Sequence, residues 1–293
     1  MPWYELSDPA DPKLEELAQR FHLHPLHVED ARSPDERIKV DQTPTYAFAV
    51  LKPVRLPSNG GPPTFSTIDI FAGQSDGEPF FITVSDPNCP STDEALARAR
   101  REGADDKPAR LLYLILDTIV DLYFPAIDHY DDRIDELENK VIDCPDPPVL
   151  QEVFALKRDL VELRRVLVGT RDATLHLQRD PSSIIDAEHQ PFVRDIYDHV
   201  VRLLDSVETQ RDLVNNALDI YLSSVANRTN EVVKVLTVLG TVALPALTIS
   251  GIYGMNVKGL PFEDSPHAAL IVGGLTFAFT AALLAFLLRK RWL

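Results

Sequence analysis

Two stretches near the C-terminal end, 235–255 and 268–288, each run for 21 residues without a charged side chain. A helix of that length spans about 30 Å, the thickness of a bilayer's hydrocarbon core. Lys234 precedes the first run, and Arg289, Lys290 and Arg291 follow the second. Basic residues at both outer ends place those ends in the cytoplasm and the short connection outside. The competing reading, two buried core helices, sits poorly with a basic stop directly after the second run. The expectation is therefore a membrane hairpin, with both chain termini cytoplasmic and the protein in an inner or plasma membrane.

Charge divides the chain the same way. The 293 residues hold 29 Lys and Arg against 45 Asp and Glu, a net charge of −16. Residues 1–230 carry 24 against 42, giving −18, and residues 231–293 carry 5 against 3, giving +2. An acidic front argues against nucleic acid as a partner, because phosphate binding needs Lys and Arg. Cys89 and Cys144 match no ligand spacing or disulfide framework and fit a reducing compartment. The opening "MPWYELSDPADPK" has no basic segment followed by an apolar run, so no secretory signal is expected.

The front reads as mixed α/β. "DPKLEELAQRFHL" places Asp11 as cap, Pro12 at the first helical position, and Leu14, Leu17 and Phe21 at helical spacing. Three β-rich runs follow, "TYAFAVLKPVRL", "TFSTIDIFAG" and "PFFITVS", with "PSNGGPP" as a loop. A helix is expected over Thr92 to Arg101 and another from Pro108 through "LLYLILDTIVDLYF". That run is too short to span and holds Asp117 and Asp121, so it reads as a buried helix. From Pro125 the pattern turns to long helices, interrupted at "DCPDPP" and "PSS", with Leu156, Leu160, Leu163 and Leu167 on one stripe.

After Gln190 nothing stops a helix until Pro245, which lies inside the first apolar run, where proline is tolerated. One helix of roughly 65 residues, about 95–100 Å at 1.5 Å per residue, is expected. Val193, Val200, Val207, Val214 and Tyr221 recur at heptad spacing and predict packing against other helices. Asp198, Asp205, Asp212 and Asp219 form a second heptad stripe, whose plain reading is a solvated face. Asp219 and Asp212 also stand 11 and 18 residues before Asn230, close to whole numbers of turns. Continued into the apolar run, that side carries Thr237, Thr241, Leu244 and Thr248, with Val233 nearby. Carboxylates, an amide and hydroxyls along one face of a membrane-entering helix match the lining of a water-filled path. A two-helix hairpin encloses no pore alone, so this reading needs a ring of identical subunits.

"FVRDIYDHVVRLLDSVETQRD", "LDIYLSSVANRTNEVVKVLTVLGTVALPALTISGIYGMN" and the terminal "RKRWL" resemble the CorA family of magnesium and cobalt transporters, which includes the ZntB-type zinc transporters. Weaker likenesses run through "LVELRRVL", "FPAIDHYDDRIDELE" and "LHPLHVEDARSPDERIKV", so nearly the whole chain is covered. The resemblance implies an α+β cytoplasmic domain with a long helical stalk and two C-terminal transmembrane helices, assembled as a homopentameric funnel. Applied to this chain, it gives an α/β domain at 1–124, a helical hairpin at 125–188 and a stalk helix at 189–234. It further gives a pore-lining span at 235–255, an external loop at 256–267, a second span at 268–288 and a basic tail at 289–293.

For the site residues, the resemblance makes Gly254, Met255 and Asn256 an ion selectivity filter. In a five-fold ring, Asn256 amides and Gly254 carbonyls would offer neutral oxygens to the waters of Mg²⁺, an ion that dehydrates reluctantly. Tyr253 and Met255 brace the loop. The path lining would be Asp219, Asn230, Val233, Leu236, Thr237, Thr241, Leu244 and Thr248, with a hydrophobic constriction near Val233, Leu236 and Leu244. Asp195 matches a stalk aspartate that, in family members, helps bind a regulatory metal between subunits. Loss of that metal would let an acidic interface splay and open.

Departures from the family pattern bear on the ion. Pro261 is followed by Phe262, and the loop acids come later, at Glu263 and Asp264. Lys258 stands near the mouth, "VKGLP" resembles the zinc branch as much as the magnesium branch, and Leu247 displaces the hydroxyl after the proline to Thr248. The expected activity is uptake of a divalent cation, Mg²⁺ first with Co²⁺ or Ni²⁺ beside it. Proton-linked Zn²⁺ transport on the same architecture is one rival, and a membrane-anchored cytoplasmic sensor is another. An enzyme is not expected, because no catalytic cluster, phosphate loop or nucleophile elbow is present. His22, His24 and His27 lie close enough for zinc but read as structural, and Asp128, Asp131 and Asp132 read as an exposed helix face.

Overall fold

The structure is a computed structural model of the 293-residue chain. It describes residues 1–33, 36–57, 61–85, 90–103, 107–143, 145–179, 185, 188–255, 259–262 and 265–289. Cys89, Cys144, Asn256, Lys258, Glu263 and Asp264 lie outside these residues. The chain forms two compact units, Met1–Leu218 and Asp219–Leu293.

The first unit is built on strands β1 (Trp3–Leu6), β2 (Lys39–Gln42), β3 (Tyr46–Leu51), β6 (Ile68–Ser75) and β7 (Glu78–Ser85). They lie in the order β1-β7-β6-β3-β2. The β3-β6-β7 centre is antiparallel, and β1 joins β7 in parallel. A short antiparallel pair, β4 (Val54–Arg55) with β5 (Thr64–Phe65), lies apart. Two helices on one face, α1 (Lys13–Arg20) and α2 (Pro25–Asp30), bury Leu14, Leu17 and Val28 in a core with Phe48, Phe71, Phe80 and Ile82. The other face carries α3 (Pro90–Gly103) and α4 (Pro108–Asp121), and α4 packs on β6 and β7.

A sheet covered on both faces explains why β3, β6 and β7 read as unbroken apolar runs. All six residues of β3 are buried. The two edge strands gave no such signal. Trp3–Leu6 and Lys39–Gln42 are short and mixed, as befits edges that face solvent on one side.

Four further helices follow: α5 (Tyr123–Asp143), α6 (Pro147–Arg179), α7 (Gln190–Gly254) and α8 (Ala268–Arg289). Only Leu122 separates α4 from α5. The leucine stripe of α6 is fully buried at Leu156, Leu160, Leu163 and Leu167. On α7 the expected heptad residues Val193, Val200, Val207 and Val214 are buried, together with Ile196, Leu203, Gln210 and Ala217. Gln210 is the polar member of this seam. Its amide donates to the Ile127 carbonyl at 2.9 Å and to Asp131 at 2.7 Å. Asp131 is therefore more than a solvated helix carboxylate, although Asp128, Asp131 and Asp132 are all exposed.

Gly73 is set by close approach rather than by backbone angle. A Cβ at this position would lie 2.6 Å from Tyr46 Cα, the residue it faces across the β3-β6 ladder. Gly73→Ala should therefore lower the stability of the first unit by about 1–3 kcal/mol through overpacking. Thermal unfolding of the purified protein checks this, and an unchanged midpoint would contradict the packing argument.

Candidate functional site

In the second unit, α7 continues as regular helix through Asp219, Asn230 and the apolar run to Gly254. Among the described residues, α7 and α8 are the two helices long and apolar enough to cross a membrane. Their side chains are left uncovered by the chain itself. Leu236 is 68 % exposed, Leu247 66 % and Phe277 77 %. Exposed leucine and phenylalanine on this scale mark surfaces meant for lipid or for another chain.

Within this unit, regular helical geometry puts Asp219, Asn230, Thr237, Thr241, Leu244 and Thr248 on one side of α7. Val233 lies at its edge. Leu236 falls about a third of a turn away, so the helix does not bring it onto the stripe. Part of the stripe borders shallow grooves beside α8: one holds Asn230, Val233 and Thr237 with Leu287, another holds Thr241, Leu244 and Thr248 with Phe279.

The three threonines share one arrangement that the sequence did not disclose. Each hydroxyl donates to the carbonyl four residues back: Thr237 to Val233 at 2.7 Å, Thr241 to Thr237 at 2.7 Å and Thr248 to Leu244 at 2.8 Å. The hydroxyl protons are thus spent on the backbone, and the oxygen lone pairs remain to accept. Pro245 has no N–H, so it cannot donate to the carbonyl of Thr241, one more acceptor at this level. The three threonines thus form a row of hydrogen-bond acceptors.

At the end of α7, the Met255 N–H donates to Ile252 O at 3.2 Å as the helix closes. The Tyr253 hydroxyl donates to the Pro261 carbonyl at 2.7 Å and so ties the last turn of α7 to the connection beyond. Phe262 follows with φ +63°, a left-handed conformation uncommon for a bulky residue. The bracing expected of Tyr253 has a definite partner. Gly254 and Met255 lie at the end of this turn, while Asn256, Glu263 and Asp264 lie outside the described residues.

Asp195, in the first unit, is exposed, and its carboxylate stands 3.6 Å from His199 Nε2. The nearby acids on α4 are Asp117 and Asp121, both engaged by Arg98 at 2.9 and 3.3 Å. Burial, with Asp121 adding to it, pushes the Asp117 carboxyl above its ordinary range against the pull of Arg98. Among the described residues, no three metal-ligating side chains stand close enough to hold an ion.

The histidines of "FHLHPLH" are structural. His24 caps α2, with Nδ1 accepting the Leu26 N–H at 3.2 Å. The His27 ring stacks on Phe48 at 4.7 Å, and its Nδ1 lies 2.9 Å from the Tyr46 hydroxyl. His22 is exposed, 3.9 Å from Asp76.

Comparison with known proteins decides the family. The model of CorA-like Mg²⁺ transporter proteins matches residues 1–291. The chain belongs to the CorA family. It is 34 % identical to the cobalt/magnesium transport protein CorA of Thermotoga maritima, over 96 % of this chain and 80 % of that one. It is 30 % identical to the putative metal ion transporter YfjQ of Bacillus subtilis, over 99 % and 89 %. The solved CorA magnesium transporter of Methanocaldococcus jannaschii superposes with a TM-score of 0.83 at 22 % identity, over 99 % of this chain and 91 % of that one. The ZntB cytoplasmic domain of Vibrio parahaemolyticus gives 0.61 at 16 % identity, over 77 % and 88 %, a likeness of fold. This CorA-family chain is thus a transporter-family protein rather than an enzyme, with an α/β domain, a long helix and two C-terminal apolar helices.

Two stability effects follow from these contacts. Removing the guanidinium in Arg98→Ala leaves the half-buried Asp117 beside Asp121 without its cation. This should cost about 1–3 kcal/mol, and adding Asp117→Asn should recover part of the loss in a thermal unfolding series. Burial holds the His27 imidazole below its ordinary value of 6.5, with Asp41 opposing. The unfolded chain therefore takes up a proton first, so this contribution is complete above about pH 6.5 and is lost as pH falls through the folded value. Unfolding midpoints measured from pH 7.5 down to 5 should decline less steeply in His27→Gln than in the parent.

Proposed function

We propose that this chain assembles as a homopentamer in the inner or plasma membrane and carries Mg²⁺ into the cytoplasm, with Co²⁺ and Ni²⁺ as further substrates. The observation that carries this reading is the acceptor row on α7, beside the sequence Tyr-Gly-Met-Asn at 253–256. Water bound to a cation turns its oxygen toward the ion and its hydrogens outward. A wall that escorts a hydrated ion must therefore accept hydrogen bonds, and Thr237, Thr241 and Thr248 are arranged to do so. The relatives named for cobalt and magnesium transport support the same substrate class.

In this mechanism five copies bring α7 around a common axis and α8 lies outside it. Hydrated Mg²⁺ meets the Gly254 carbonyl and Asn256 amide oxygens first. Neutral oxygens suit an ion that prefers octahedral oxygen and keeps its waters. Glu263 and Asp264 raise the local cation concentration at the mouth, against Lys258. Val233 and Leu244, with Leu236 at their flank, narrow the path, and Asn230 and Asp219 receive the ion beyond them. The membrane potential drives entry with about 2.3 kcal/mol per charge per 100 mV, doubled for a divalent ion. Cytoplasmic divalent ions at Asp195, shared with a neighbouring copy, neutralise the acidic interface and hold the ring closed. When those ions leave, like-charge repulsion favours opening. Both chain termini are cytoplasmic.

The test is ion flux into proteoliposomes of purified protein, comparing Mg²⁺, Co²⁺, Ni²⁺ and Zn²⁺ with and without a pH gradient. Mg²⁺ entry should be indifferent to pH, and Asn256→Ala should abolish it while the oligomer elutes unchanged. Entry of Zn²⁺ alone, accelerated by protons, would replace Mg²⁺ as the substrate. No flux of any ion through an assembled oligomer would remove the transport reading.

A further inference from the structure

A cleft of about 860 Å³ opens in the first unit between β2 and α6. Within its lining, Gly169 of α6 lets the helix approach the start of β2 closely: a Cβ at Gly169 would stand 2.9 Å from the Ile38 Cβ. Ile38, Val40 and Val166 give it an apolar wall, and the half-exposed ring of Phe65 lies at one side.

The charged groups around this wall are unevenly satisfied. Lys39 is fully engaged by Asp30 at 2.6 Å, Asp41 at 3.5 Å and Glu36 at 3.8 Å. Asp172 is held by Arg171 at 2.8 Å. The side chains of Arg37, Lys52 and Arg165 make no hydrogen bond or ion pair among the described residues, and His176 stands on the same face of α6. Lys52 is fixed at the rim by its own backbone, whose carbonyl accepts from the buried Tyr123 hydroxyl at 2.6 Å. Glu162 is the acid left beside these cations.

Three cations without an ion-pair partner among the described residues line one cleft, with Glu162 beside them, on a chain of net charge −16. Guanidinium groups match phosphate oxygens in two-pronged geometry, and lysine adds a mobile positive charge. The volume lies within the range of small-molecule sites, roughly 300–1,000 Å³. An inorganic anion would use the cations and leave the apolar wall and Phe65 idle. A nucleobase uses both, because every base offers a face for stacking on an aromatic ring.

We propose that this cleft binds a nucleoside polyphosphate, with its phosphates between Arg37, Lys52 and Arg165 and its base against Phe65 and Ile38. The uncomplexed nucleotide binds more tightly than its Mg²⁺ complex, since the metal occupies the oxygens that the arginines would meet. Calorimetric titration of ATP into the full chain in detergent, in magnesium-free buffer, tests this without any dependence on ion flux. Saturable binding is expected, at least tenfold weaker in the Arg37→Ala/Arg165→Ala double variant and weakened by added salt. Inorganic triphosphate should bind at least tenfold less tightly than ATP. Thermal midpoint and oligomer elution verify that the variant is folded, and Lys52→Gln provides an independent change in the same direction. Absence of saturable binding, equal affinity in the folded variants, or triphosphate binding as tightly as ATP would each overturn the proposal.

Discussion

The structure depends on how apolar helices keep their polar groups satisfied where water is scarce. Along the span of α7, the hydroxyls of Thr237, Thr241 and Thr248 solve this by bonding to their own backbone, which keeps those three donors paired. The same bonds leave acceptor oxygens on one stripe. The polar stripe is therefore tolerable in a membrane, because its hydroxyl protons are already bonded to backbone. The leucine and phenylalanine surfaces around it are uncovered in a single chain and demand lipid or further copies of the chain.

The first unit has the opposite character. Its sheet is covered on both faces, and its helices bury heptad seams against one another. Two polar groups that enter these seams take specific partners. Gln210 bridges α7 to Ile127 and Asp131 of α5, and Arg98 gathers Asp117 and Asp121 from the next helix. A domain this acidic is held by a few cations in chosen places. Asp195 is exposed and stands 3.6 Å from His199 on its own helix.

Much of the architecture was legible in residue order, because period and length are local properties. The two 21-residue uncharged runs announced α7 and α8, and the valine heptad announced the buried side of the long helix. The central strands showed themselves through continuous hydrophobicity. The edge strands Trp3–Leu6 and Lys39–Gln42 did not, because half-exposed strands of four residues carry no distinctive pattern. Among the site residues, the stripe from Asp219 to Thr248 could be drawn from helical spacing alone, and the same spacing leaves Leu236 outside it.

By itself, then, the sequence determined two apolar runs of membrane-spanning length, the length and periodicity of the long helix, and membership of the CorA family. Those depend on which residues follow one another. Only the tertiary structure decided where side chains meet residues distant in the chain: Tyr253 with the Pro261 carbonyl, Arg98 between two aspartates, Gly169 against Ile38. It also decided which way each threonine spends its proton. Contacts across such separations depend on the packing of whole elements, and no local pattern encodes the angle at which two of them approach.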